Sequence, residues 1–216
     1  MTALITTLID KMDTFEIVRD KVALILAEES ASQQQLATDA GKDPTLCKLR
    51  VFTERTNHWE FLRTNDGKVP DDRSPVICVW FDNSNMDARA SQTIDRQQMD
   101  ATINIDVYGI GVTERLAGGA WHKPGDENAA LEVQREARLV RNILRADSYV
   151  VHGFPRALGL VGQRQISTIQ SFTPELGKQN DQQLARLRLS VQVKMSELTP
   201  QPEAVIREDI NCSATG

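Results

Sequence analysis

At 216 residues, with 40% hydrophobic and 25% charged side chains, the chain is too apolar to be disordered. It is long enough for one full domain, which would bury roughly 70% of its unfolded surface. Its net charge of -5 excludes binding to nucleic acid through a general cationic surface, because phosphate neutralisation needs a surplus of Lys and Arg, although a local basic strip is compatible with it. Cys47, Cys78 and Cys212 are odd in number and widely spaced, which predicts reduced thiols in a reducing compartment rather than a disulfide framework. Residues 1–10 show no basic leader, apolar run and small-residue cleavage site, so no signal peptide is expected. No uninterrupted apolar stretch of about 18 residues occurs, so no transmembrane helix is expected either.

In chain order, residues 4–29 read as helix, with Leu8, Met12, Phe15, Val18, Val22, Ile25 and Leu26 recurring at three- or four-residue steps. Asp13 followed by Glu16 resembles a capping box, which would start a second helix near Thr14. Residues 30–44 have no period and end at Gly41 and Pro44, predicting a loop. Residues 46–53 alternate as a half-buried strand, with Cys47, Leu49 and Val51 on one side and Lys48 and Arg50 on the other. Residues 54–75 are polar and turn-rich, a long connection or a hairpin excursion. Residues 76–81 form a short apolar run bounded by Pro75 and Asp82, which predicts a central strand with Trp80 in the core. Residues 83–89 are polar and expected to be exposed.

Ile103, Ile105 and Val107 then alternate with Thr102, Asn104, Asp106 and Tyr108 in a strand that begins as early as Ile94 and stops at Gly109. Residues 111–125 read as an extended loop. Asp126 is placed to cap a helix over 127–145, with Val133, Ala137, Val140 and Leu144 as its apolar stripe opposite Glu132, Arg135, Glu136 and Arg138. Residues 147–162 are irregular, a strand returns at 165–172, and a turn over 174–181 follows. The strongest alternation closes the domain: Leu187, Leu189, Val191, Val193 and Met195 oppose Arg186, Arg188, Ser190, Gln192 and Lys194. A one-residue slip would bury three cations, so this register is tightly specified. The expected fold is α+β: a mixed, mostly antiparallel sheet with two main helices on one face, in the order α-β-β-β-α-β-β. It occupies residues 1–197 as a single domain, with 198–216 as a flexible or docking tail.

Motifs that would carry chemistry are missing. His58, His122 and His152 are far apart and none has a metal-ligand spacing. Gly109-Ile110-Gly111 follows a strand, but Glu114 stands where a dinucleotide fingerprint needs its third glycine. There is no Gly-x-Ser-x-Gly elbow and no Gly-Lys-Ser or Gly-Lys-Thr loop. Asp82, Asp87, Asp95, Asp100 and Asp106 are scattered and read as solvated acids, the alternative being a two-acid metal site around Asp87 and Asp95. No cofactor is expected. Arg186, Arg188 and Lys194, with Gln192 among them, form a basic stripe that is either a solvated sheet face or a contact surface. Trp59 and Trp121 fall in loop-like contexts, where they serve as interface anchors or local loop packing.

The element order, the phrase Met99-Asp-Ala-Thr-Ile-Asn-Ile-Asp-Val-Tyr-Gly and the closing strand 186–195 together resemble the tail terminator (tail completion) proteins of long-tailed bacteriophages. The resemblance covers most of residues 1–197, and the insertions at 54–75 and 111–125 are longer than a minimal member carries. It implies six copies in a ring on the last ring of tail tube protein, where tail growth stops. It further implies a surface for the neck or connector protein, contact with sheath protein if the tail is contractile, and DNA passing through the lumen without specific binding. The expected location is the virion at the tail–neck junction, after assembly in the bacterial host cytoplasm. The alternatives are another neck or head–tail joining protein and, from a different class, a small cytoplasmic metal-dependent enzyme built from Asp82, Asp95 and a histidine.

Overall fold

The computed structural model describes residues 13–54, 74–86, 96–115, 122–146, 161–176 and 182–198. The fold is α+β, as expected, with two helices and a five-stranded mixed sheet among the described residues. The helices are α1 (Thr14–Asp39) and α2 (Gly125–Arg145). The sheet holds β1 (Arg50–Thr53), β2 (Val76–Met86), β3 (Arg96–Val112), β6 (Val161–Leu176) and β7 (Gln182–Leu198), in the order β1-β2-β3-β7-β6. Among the described residues only β1 and β2 run parallel; the other neighbours in this sheet are antiparallel. Two short strands, β4 (Glu114–Arg115) and β5 (His122–Lys123), pair separately within the segment expected to be all loop. The expectations for residues 1–12, 55–73, 87–95, 147–160, 177–181 and 199–216 lie outside the described residues.

Helix α1 starts where the capping box predicts. The Asp13 carboxylate accepts from the Phe15 N–H at 3.3 Å, and the Asp13 N–H donates to Glu16 at 3.5 Å. Val18, Val22, Ile25 and Leu26 are buried against the sheet, and the Phe15 ring stacks on Phe81 of β2 with centroids 3.9 Å apart. The helix does not end near residue 29, as the loss of period suggests; it runs on to Asp39. Residues 31–39 are Ala, Ser, Gln, Leu, Thr and Asp with no Gly or Pro, and none of them is buried. Such a segment needs no apolar stripe, so its missing period reports absence of packing rather than absence of helix. Gly41, with φ of +67°, then stops it: the Gly41 N–H donates to the Thr38 carbonyl and Lys42 to the Ala37 carbonyl, a Schellman ending.

The strand expected over 46–53 is shorter than its alternation suggests. Pro44–Cys47 is a 3-10 turn capped by Asp43, whose carboxylate accepts from the Thr45 N–H at 2.9 Å. Ser30 ties this turn to α1, its hydroxyl donating to the Cys47 carbonyl at 2.8 Å and accepting from the Leu49 N–H at 2.9 Å. Strand β1 ends at Thr53 and is followed by Glu54, in the left-handed region at φ 52°, whose carboxylate receives Arg19 of α1 at 3.0 Å and the Phe81 N–H of β2 at 2.9 Å. Helix start, strand end and sheet are thereby joined by one carboxylate.

Strand β3 pairs with β7 without interruption, from Arg96 opposite Leu198 to Val112 opposite Gln182. Met99, Ala101, Ile103, Ile105 and Val107 of β3 and Leu187, Leu189, Val191, Val193 and Met195 of β7 share the helix-facing side with Ile77 and Val79 of β2. The alternation read in the closing strand is therefore the observed one. Gly109 does not stop β3, contrary to expectation. A Cβ there would sit 2.8 Å from Val133 of α2, and one at Gly111 would collide with the Gly125 carbonyl. These glycines are needed where the first turns of α2 lie directly on the strand. Asp126 is not the cap either: Pro124 holds that position, and Thr113 accepts from the Gly125 N–H at 3.2 Å.

Gly111→Ala is expected to destabilise the fold by about 3 kcal/mol, the upper range for overpacking, because the obstacle is backbone and cannot rotate away. Gly41→Ala meets open space and loses only about 1 kcal/mol through its left-handed φ. Denaturant unfolding of both variants measures the difference.

Candidate functional site

The second face of the sheet carries no helix among the described residues, and it gathers the polar side chains of the three inner strands. At its centre Asp106 of β3 lies opposite Arg188 of β7, as their register dictates. Arg188 Nε and Nη2 donate to the two Asp106 oxygens at 2.7 and 2.9 Å, a bidentate pair. Asp106 is only 3% exposed, and its Oδ2 also receives Trp80 Nε1 at 3.2 Å and the Tyr108 hydroxyl at 3.3 Å. A carboxylate so far from water has its charge met by a guanidinium and two further donors. The pairing in turn raises the Arg188 pKa, so this cation stays charged.

Aromatic rings frame the pair. The Arg188 guanidinium carbon stands 4.7 Å from the Trp80 ring centroid and 5.3 Å from that of Phe172 on β6, while Arg186 lies over Phe172 at 3.8 Å. Arg186 Nε finds no hydrogen-bond partner among the described residues. One register step away, the Ser190 hydroxyl donates to Asn104 Oδ1 at 2.7 Å, so the next polar rung is also closed. Beside it on the same face, Val76, Cys78, Tyr108, Ile110 and Leu184 form a small second core against which Trp80 packs. Burial, then the charge of Asp106, pushes the Tyr108 phenol up to about 12, with Arg186 pulling the other way.

The residues singled out in the sequence fall into three groups. Arg186 and Arg188 belong to this cluster. Gln192 and Lys194 share its face but are exposed, and Lys194 reaches only a loose 4.0 Å contact with Asp100. Trp59 and Trp121 lie outside the described residues, as do His58, His152, Asp87, Asp95 and Cys212. The stripe is thus not a row of free cations. Two expectations are corrected: Asp106 is the buried counter-ion rather than a solvated acid, and Trp80 packs on the helix-free face rather than in the main core. Asp82 is exposed, accepting from Asn83 at 3.2 Å. Among the described residues no three of His, Cys, Asp and Glu come together, and neither Cys47 nor Cys78 is in a disulfide.

A further correction concerns Glu136, read as part of the polar stripe of α2. It is 8% exposed, and its Oε2 has no hydrogen-bond partner among the described residues. Burial, then the neighbouring Glu132 charge, pushes its carboxyl up to about 7 from an ordinary 4.5, with Arg135 opposing. The unfolded chain releases this proton near 4.5 while the folded one holds it to about 7, so stability falls as pH rises through that window. Glu136→Gln, which keeps the neutral shape, is expected to raise the melting temperature at pH 8 and to leave it nearly unchanged at pH 4.5.

Asp106→Asn is expected to cost about 2 kcal/mol, less than for a fully buried pair because the Arg188 side chain is 23% exposed. Lys194→Ala, on a pair exposed at both ends, changes stability by less than about 0.5 kcal/mol. Urea unfolding of the two variants separates the structural ion pair from the decorative one. No protein-family model matches this chain, and no curated protein matches it in sequence.

Proposed function

We propose that this chain is a structural assembly subunit, and specifically a tail terminator of a long-tailed bacteriophage. It would cap the tail tube as a ring, stop its growth and offer the neck connector a surface. The observation that carries the reading is how the arginines of the helix-free face are used. Arg188 is committed to Asp106 and Arg186 to the Phe172 ring, instead of being held out as free cations. Nucleic-acid binding rests on cations available to replace phosphate counterions. Arginine stacked on aromatic rings in a charge-compensated, rigid setting is the composition of protein–protein interfaces.

On this reading the net charge of -5 also fits a channel through which DNA must slide, since a basic lumen would retain it. The face bearing Arg186 and Arg188 then meets a neighbouring protein, and DNA passes elsewhere. Support comes from the α+β element order and the unbroken β3–β7 pair, which supply a stiff scaffold for a surface that works by fit.

Disruption of the gene in the phage that encodes it is expected to give tails of uncontrolled length, measured by electron microscopy. Normal-length tails detached from heads would assign it to the neck instead, and intact particles of normal length would sink both structural readings. A particle reconstruction with Arg186 and Arg188 lining the open lumen would overturn the assignment of that face.

A further inference from the structure

Strand β6 closes one edge of the sheet, and among the described residues its only strand neighbour is β7. Residues 167–171 are all exposed, and Ile169 is 49% exposed. From Gln165 to Pro174 there is no charged residue, and no proline before Pro174. Monomeric proteins blunt such edges with lysine, proline or inward-pointing charges, because an open row of backbone N–H and C=O groups pairs with any matching strand. Between Arg164 and Pro174, both within β6, this edge has a bulge but no lysine, no proline and no other charged residue.

Its sequence says which strand would match. Residues 165–170 read Gln-Ile-Ser-Thr-Ile-Gln, nearly the same in both directions. A two-fold contact requires a patch that complements itself, and this segment does so in antiparallel pairing. Side-chain direction agrees. Ile166 pairs with Val191 and Ile169 with Leu189, so both isoleucines point to the helix face although they are three residues apart. The register shift between Ile166 and Thr168 makes this possible; in an unbroken strand they would point to opposite faces. Gln170 pairs with Arg188 and so takes the other face, and Gln165 is in register with Gln192.

We infer that β6 is a self-association edge, on which two copies pair antiparallel about a two-fold axis between Ser167 and Thr168. Gln165 of one copy faces Gln170 of the other, Ile166 faces Ile169, and Ser167 faces Thr168. The axis runs perpendicular to the sheet, so the helix layers of both copies lie on the same side and the two sheets join as one. Paired isoleucines and paired hydroxyls supply the cross-strand contacts that stabilise antiparallel ladders. The contact is isologous, and so distinct from the head-to-tail contacts that close a ring; it holds independently of the tail reading.

Sedimentation velocity of the full chain across a concentration series tests this, with Ile169→Lys, Thr168→Lys and, as a control away from the edge, Leu36→Lys. The wild type and the control are expected to show reversible monomer–dimer exchange. Each edge variant should weaken the dimer by about tenfold or more, since every substitution occurs twice per interface, with circular dichroism and melting temperature unchanged. A wild type monomeric at every concentration overturns the inference. So does any oligomer, dimeric or larger, that survives both edge variants. If one edge variant misfolds, the other decides.

Discussion

The structure depends on the pairing of β3 with β7. The two strands run antiparallel over their whole lengths with no register shift, at the centre of the sheet. Because side chains alternate strictly along a strand, that single register assigns every residue of both strands to one of two faces. It sends Ile103, Ile105, Leu189 and Val191 under the helices, and on the other side it sets Asp106 against Arg188. Moving β7 by one residue would put Arg188 into the apolar layer and leave Asp106 buried without its counter-ion. Hydrophobic pattern and ion pair therefore specify the same register, and each penalises the errors the other would allow.

Where local pattern and tertiary structure coincide, the sequence foretold the fold well. The capping box at Asp13 and Glu16, the apolar run of β2 and the alternation of β7 needed no knowledge of neighbours. Errors arose where a neighbour changes the meaning of a residue. Gly109 looks like a strand terminator until α2 is seen lying on it, and residues 31–39 look like a loop because a helix clear of the core has no face to display. At the candidate site, the basic residues were visible but their partner was not. Asp106 occupies a polar position of an alternating strand, as do Asn104 and Thr102, and only strand order reveals which of them opposes an arginine. Phe172 gave no signal at all, since its role depends on β6 lying next to β7.

The two faces of the sheet divide the labour of the molecule. One is covered by both helices and holds nearly all the apolar bulk; the other holds a lattice of polar and aromatic groups in which positions are fixed by shared hydrogen bonds. Such a lattice differs from an ordinary wet sheet face in its stiffness: Asp106 joins Trp80, Tyr108 and Arg188, from three strands, in one node. A surface of that kind presents its shape ready-made, so little side-chain freedom remains to be lost on contact. Glu136 belongs to neither arrangement; it is the place where the helix layer holds a carboxyl without a full set of partners.

Helix α1 is clamped to the sheet along its first half and stands clear of it along its second. Residues 31–39 extend roughly 13 Å at the helical rise, held straight by their own hydrogen bonds and ending in the glycine stop at Gly41. Mechanically this is a lever with its fulcrum near Ser30, where the hydroxyl grips the following turn. A tilt of roughly 5° in the clamped half displaces the tip by about 1 Å over that arm. Small adjustments in how Val18, Val22 and Leu26 seat on the sheet are thus enlarged at the far end, next to the exposed Leu36.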